Sequence, residues 1–450
     1  MKKRLTILVL ILILIIPQIN LAASKSKQED NFEVELREGP IRDQNIFVPT
    51  KNGVQRATYE EALTIEELEK KSLDQLTSAY LLGDYDTGTI LEAKDIDTVR
   101  AMASTSKLVS IYLVFDAIKA GKISLEDKVT MDAASAAIKG SNFDAKAGEV
   151  YTVKELIEAA LVVSANDAIN ALAIHVAGNV DNFVQMMNEK CQALGLKNAI
   201  MINPHGLTKY AGEEEALYNR MSAREMFELA RHLIKDYPQI LDYTSMACIN
   251  RPDRDYIGYS TNPALGIIEG VDGLKTGYTN AAGRCMIATG INKNSKSPMR
   301  IIGITLGCKN DWARYVAVKK IVEKGFKEYV LEDMADPKKA LKEIEIPDGR
   351  PQKIGAYPDR AVKIIKRADD KVEVSYKIDE NLTYPIKRGQ SLGKAIYYKN
   401  GKEIQVVDLI AKEEVKEPFL LQKIQILIRN IFRDIKNDKK ETQEKEVLEK

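Results

Sequence analysis

Ser104 and Lys107 stand three residues apart at the head of an apolar stretch, Leu108–Ile118. On a helix that spacing puts both side chains on one face, within reach of each other. A serine hydroxyl is a poor nucleophile until a base takes its proton. A lysine can be that base once burial disfavours its ammonium form. The start of a helix adds unsatisfied N–H groups and positive potential, which suits a developing negative charge. The chemistry open to this pair is acyl transfer at serine. Alone it is a weak sign. Ser-x-x-Lys recurs at Ser24/Lys27 and Ser391/Lys394, and a serine at a helix start is ordinarily an N-cap.

Two further clusters could complete the chemistry. Ser164-Ala165-Asn166 puts polar groups inside an apolar helical stretch. Lys275-Thr276-Gly277 lies on a strand-like run. Gly277 removes a side chain where a substrate backbone could lie alongside. Ser-x-Asn also recurs, at Ser260/Asn262, whereas Lys-Thr-Gly occurs once.

The elements that must hold these groups can be read from the pattern. SAYLLGDYDTGTILEA is two apolar runs around Asp84–Gly88, a hairpin. Leu108–Ile118 is apolar on nearly every face and too short to span a bilayer, which predicts a helix buried inside a domain and ended by Gly121. VKELIEAALVVSANDAINALAIHVA predicts a second apolar helix. VDGLKTGYTN, GRCMIATGIN and MRIIGITLGC read as adjacent antiparallel strands, and Ala313–Tyr329 returns to helical spacing. The expected fold class is α+β, with helices against an antiparallel sheet. After about Asp336, KVEVSYKI and KAIYYKN alternate apolar and polar, which predicts a small all-β domain. The expected division is 78–335 for the catalytic domain, 336–415 for the all-β domain, 416–436 for an amphipathic helix and 437–450 for a charged tail. In that helix Leu420, Ile424, Leu427, Ile428, Ile431 and Ile435 share a face, with Lys423, Arg429, Arg433 and Lys436 off it. A membrane-surface helix is the favoured reading, and a helix docked on its own protein the other.

The N-terminus carries an address. Lys2, Lys3 and Arg4 precede an apolar run, Leu5–Ile16, and then Ala22, Ala23 and Ser24. That is the order of a secretory signal, expected over 1–23, with an uncleaved anchor as the alternative. No cysteine stands at the cleavage region, which argues against a lipoprotein. Residues 24–77 read as a polar linker with a solvated helix over 58–77. The 66 basic and 65 acidic residues give a net charge of +1, so no bulk field favours nucleic acid. Three histidines and four cysteines show no metal-ligand spacing, so no metal is expected. Cys285 and Cys308 could pair after export, but buried free thiols are the favoured reading in a core this large.

In order, STSK, SAN and KTG resemble the three active-site motifs of penicillin-binding proteins and serine β-lactamases. GSNFDAKAGEVYTVKELIEAALVVSANDA, NPHGL and VDGLKTGYTNAAG are similar to the low-molecular-weight D-alanyl-D-alanine carboxypeptidases from about Ser78 to Tyr329, and the later β domain and tail resemble that family's C-terminal half. The resemblance implies a serine peptidase that removes the terminal D-Ala from peptidoglycan stem pentapeptides, is acylated by β-lactams, needs no cofactor and works at the outer face of the cytoplasmic membrane. It implies Ser104 as nucleophile, Lys107 as base and Ser164 as proton relay. Asn166, Lys275, Thr276, Gly277 and Tyr278 would bind substrate, with the N–H groups of Ser104 and Tyr278 as the oxyanion hole. Arg314 matches a carboxylate-binding arginine of some relatives, and a surface salt bridge reads it equally well. His205 is expected to be structural. The sequence departs from the family in its longer segment before Ser78 and in Ala165, where glycine is common. A β-lactamase would need Glu-x-x-Leu-Asn, and the nearest text here is Glu214-x-x-Leu217 followed by Tyr218. An endopeptidase acting on cross-links and a non-catalytic wall-binding protein are the remaining alternatives.

Overall fold

Thr58 and Glu61 close a capping box, with Thr58 N–H donating to Glu61 Oε2 at 2.9 Å and Glu61 N–H to Thr58 Oγ1 at 3.3 Å. From that cap, the charged text after residue 58 winds into a helix with a buried side. The computed structural model describes residues 47–211, 215–292 and 298–431, apart from 51 and 430. The signal read over 1–23, the first half of the linker and the charged tail lie outside the described residues. The chain divides into two units, one ending at Glu328 and one beginning at Tyr329.

In the first unit β1 (Phe47–Thr50) and β2 (Gly53–Arg56) form a hairpin, followed by α1 (Tyr59–Glu69), β3 (Ala79–Asp84) and β4 (Ile90–Lys94). The helices that matter for the site are α2 (Lys107–Lys119), α3 (Val153–Val162), α4 (Asn166–Ala177) and α5 (Ala223–Asp236). β5 (Val271–Thr279), β6 (Gly283–Ile291), β7 (Arg300–Cys308) and α6 (Asp311–Glu328) complete it. One antiparallel sheet runs β5-β6-β7-β3-β4. Gly303 pairs with Leu82, and Gly83 with Ile302. Alternate residues of a strand face opposite ways. A Cβ on Gly303 would press on Ile321 of α6, and one on Gly83 on Phe227 of α5, so the two helices cover opposite faces of the sheet. Behind α5 lies α2, whose residues Leu108–Phe115 are all buried. This is the α+β arrangement expected, with the buried helix at its centre.

Two local readings change. Residues 47–77 are not a linker: Val48, Ala62, Ile65 and Leu76 are buried in a cluster with Tyr315, Val316 and Ala317 of α6. The many glutamates of α1 hid its short apolar side from the sequence. The second apolar helix is two helices, broken where Ser164 adopts a φ of 64°.

In the second unit β8 (Val330–Ala335) pairs with β11 (Val362–Lys366). β9 (Lys342–Glu345), β10 (Lys353–Pro358), β12 (Val372–Ile378), β13 (Ser391–Lys399) and β14 (Lys402–Ala411) form an antiparallel sheet in the order β9-β10-β14-β13-β12. The all-β unit therefore starts at Tyr329, before the change of texture at Asp336, because β8 finds its partner there. Residues 420–429 are helical, with Leu420 76 % and Leu427 61 % exposed. No helix among the described residues is long and apolar enough to cross a membrane.

Candidate active site

Ser104 lies in a 3-10 turn, Ala103–Ser106, that leads into α2 at Lys107. Its hydroxyl caps nothing. It lies 2.9 Å from Lys107 Nζ and 3.4 Å from the carbonyl oxygen of His205. The turn is held by its own side chains: Thr105 Oγ1 donates to Met102 O and Ser106 Oγ to Ala103 O. Gly206 lets a second backbone approach, since a Cβ there would lie 2.0 Å from Ala103 O. That contact sets the His205 carbonyl beside the serine.

Lys107 is wholly buried. Nζ lies 2.7 Å from Asn166 Oδ1 and 2.9 Å from His205 O. Burial first, and then the nearby Lys275 charge, hold its pKa well below the usual lysine value, against a smaller opposing pull from Asp167. A neutral amine has two N–H bonds and one lone pair. Asn166 Oδ1 and His205 O can only accept. As an ammonium, Nζ donates to Ser104 Oγ, Asn166 Oδ1 and His205 O; in its neutral form the two N–H groups would stay with the two acceptor-only oxygens and the lone pair would face the Ser104 hydroxyl.

Asn166 starts α4 immediately after the break at Ser164. Its N–H donates to Ser141 O at 2.8 Å and its Nδ2 to Lys139 O at 3.0 Å. The loop that supplies those carbonyls is tied down by Asp167, whose carboxylate accepts from Phe143 N–H and Ala145 N–H. Ser164 is 4 % exposed and strained by its positive φ. Ala165, at φ −57° and ψ 123°, needs no glycine.

The third motif lies on β5. Lys275 Nζ donates to Thr276 O at 3.0 Å, and burial followed by the Arg314 charge pulls its pKa down to about 7. Thr276 Oγ1 bonds Thr261 Oγ1 at 2.7 Å. A Cβ on Gly277 would come within 3.0 Å of both Met102 O and Ser104 N, so glycine lets β5 run against the serine turn. Ser104, Ser164, Asn166, Thr276 and Tyr278 line one cleft of about 490 Å³. Arg314 lines it too and bonds Asp311 at 2.7 Å, so the salt bridge exists but the guanidinium is largely buried beside the cleft. Asp311 also meets Arg284 at 3.1 Å, and Arg284 stacks 3.4 Å from the Tyr278 ring centroid.

All the residues expected at the site thus converge. Sequence reasoning missed Thr261, Arg284 and the three carbonyls of Lys139, Ser141 and His205. Carbonyls leave no mark in side-chain identity; the one signal that could have found them is Gly206 within NPHGL, where a Cβ would meet Ala103 O. His205 is structural, as expected: its Nδ1 accepts from Leu207 N–H, and burial with the Lys107 charge drops its pKa to about 3. Cys285 and Cys308 are free buried thiols. Among the described residues no cluster of histidine, cysteine and carboxylates could hold a metal. Asn219, the nearest counterpart of the lactamase asparagine, is buried and donates to Ser106 Oγ and Asn203 O. Glu214 lies outside the described residues.

Residues 67–310 match the family model described as D-alanyl-D-alanine carboxypeptidase, and residues 329–417 the C-terminal domain of penicillin-binding protein 5. The chain is 31% identical to D-alanyl-D-alanine carboxypeptidase DacF of Bacillus subtilis, over 76% of this chain and 86% of that one. It is 32% identical to DacA of Haemophilus influenzae, over 78% and 88%. The crystal structure of penicillin-binding protein 5 from Haemophilus influenzae superposes with a TM-score of 0.65 at 30% identity, over 76% of this chain and 98% of that one.

Proposed function

The chain belongs to the D-alanyl-D-alanine carboxypeptidase family of penicillin-binding serine peptidases, and on that premise we propose how its residues divide the reaction. Ser104 Oγ attacks the carbonyl carbon of the penultimate D-Ala while the neutral amine of Lys107 takes its proton. The oxyanion forms against the N–H groups of Ser104 and Tyr278. The C–N bond then breaks, and the terminal D-Ala leaves with a proton relayed through Ser164. Water adds to the ester, the shortened peptide departs and Ser104 recovers its proton. Asn166 fixes Lys107 and borders the substrate amide. Thr276 and Arg314 take the terminal carboxylate, Lys275 adds positive potential, and Gly277 leaves room for the peptide backbone beside β5.

The observation that carries this reading is the surrounding of Lys107 Nζ. Two acceptor-only oxygens at 2.7 and 2.9 Å hold Nζ 2.9 Å from Ser104 Oγ, so that once the amine is neutral its lone pair is the part that faces the serine. Lys107→Ala should slow acylation by labelled penicillin by about 10²–10⁴-fold, the ordinary worth of a general base, while the folded protein persists. An unchanged acylation rate would remove Lys107 as the base.

The substrate is the peptidoglycan stem pentapeptide, and β-lactams acylate the same serine. The chain is exported by its first 23 residues and rests peripherally on the outer face of the cytoplasmic membrane through residues 416–436. The outward apolar side of residues 420–429 supports the last point.

A further inference from the structure

Within the second unit a polar cavity of about 470 Å³ lies between residues 348–352 and residues 418–429. Arg350 is fixed at its edge, exchanging backbone hydrogen bonds with Lys416 at 3.0 and 2.9 Å. Its guanidinium stacks 3.6 Å from the Phe419 ring centroid, and its Nη1 is buried with no hydrogen-bond acceptor. The cations around it are already paired. Lys416 lies 3.9 Å from Glu414, Lys423 lies 2.6 Å from Glu417, and Arg429 bonds Asp348. Arg350 alone of this group has no acidic partner among the described residues. A half-buried guanidinium with an unmet donor calls for an anion, and its planar fork fits a phosphate bidentately.

The helix places this demand beside a membrane-directed surface. Gln422, Gln425, Ile426 and Arg429 line the cavity at i, i+3, i+4 and i+7, one face of the helix. Leu420, Ile424, Leu427, Ile428 and Ile431 form another face, each about half exposed or more. An apolar face sunk at the acyl boundary holds the adjoining polar face at headgroup depth. We propose that this cavity binds the phosphodiester of an anionic phospholipid headgroup, with Arg350 as its bidentate donor. The inference rests on the membrane-surface reading of residues 416–436.

The test is flotation of the processed chain, residues 24–450, with vesicles of phosphatidylcholine alone and of phosphatidylcholine mixed with phosphatidylglycerol. The wild type should bind the mixed vesicles on the order of tenfold or more tightly. Arg350→Gln should lose most of that preference and leave binding to neutral vesicles unchanged, which also reports an intact helix. Diffuse attraction is worth about fivefold per cation and ignores geometry. A site therefore predicts that Arg350→Lys fails to restore the preference, and that Lys423→Gln, outside the cavity, costs less than Arg350→Gln. Restoration by lysine, or equal losses at Lys423 and Arg350, would reduce the effect to bulk charge and overturn the site. Equal binding of wild type to both vesicles would also overturn it, while leaving the apolar anchor standing. Protection of Arg350 by free glycerol 1-phosphate, with no preference among vesicles, would assign the cavity to a soluble phosphate compound and overturn the lipid. No binding to either vesicle would sink the membrane reading itself, and this inference with it.

Discussion

Two buried lysines of the site, Lys107 and Lys275, carry opposite duties in the proposed reaction, and pH should separate them. Lys107 must be neutral to take a proton, and burial holds its pKa well below the usual value. Lys275 serves a carboxylate best when charged, and it loses that charge above about 7. For acylation, the rate should therefore fall as pH drops through the Lys107 pKa. For substrate binding, KM should rise as pH climbs past about 7, with kcat little changed. The KM rise should vanish for a peptide whose C-terminal carboxylate is amidated. Steady-state kinetics on the free and amidated peptides across neutrality checks this, and a KM that stays flat for the free peptide would clear Lys275 of the role. The side chains of the site were legible because STSK, SAN and KTG stand in the order of a known family's motifs, although Ser-x-x-Lys and Ser-x-Asn each recur elsewhere in the chain. The carbonyl of His205, which accepts from Lys107 Nζ, and those of Lys139 and Ser141, which accept from Asn166, were not, since every residue has one.

The elements succeed by being interrupted. An unbroken helix from Val153 to Ala177 would point Ser164 along its own turn. The break gives Ser164 a φ of 64° and frees the first N–H of α4 to hold the loop at Ser141. A left-handed serine costs about 1–3 kcal/mol, and glycine would be relieved of it. Ser164→Gly should therefore leave the midpoint of urea unfolding unchanged or raised by the equivalent of about 1 kcal/mol, while turnover of peptide falls. A clear loss of stability would show that the hydroxyl holds the fold rather than the chemistry. The break was half legible: polar residues inside an apolar run marked the place, but helix propensity gave no backbone angle. Helix α1 was legible as a helix and not as core, because Ala62 and Ile65 are a narrow apolar side among glutamates, and the hairpin β1–β2 read only as linker.

At the scale of the whole molecule, the sequence divided the chain nearly where the structure does, missing by the one strand, Val330–Ala335, whose partner lies beyond the change of composition. The tail poses a question that composition raises and geometry sharpens. Its helical residues keep Leu420, Leu421 and Leu427 outward. If residues 416–436 are the membrane anchor we propose, deleting residues 416–450 should move the protein from the membrane to the soluble fraction with peptide hydrolysis intact. A truncated protein that still pellets with membranes would take the anchor away from the tail. The central claim, an acyl-transfer centre at Ser104 that trims a terminal D-Ala, is tested most directly by mass spectrometry of a stem pentapeptide ending in D-Ala-D-Ala, incubated with wild type and with Ser104→Ala. The account predicts loss of one alanine with the wild type alone. A folded wild type that leaves the peptide whole, or a Ser104→Ala protein that trims it equally, would contradict it.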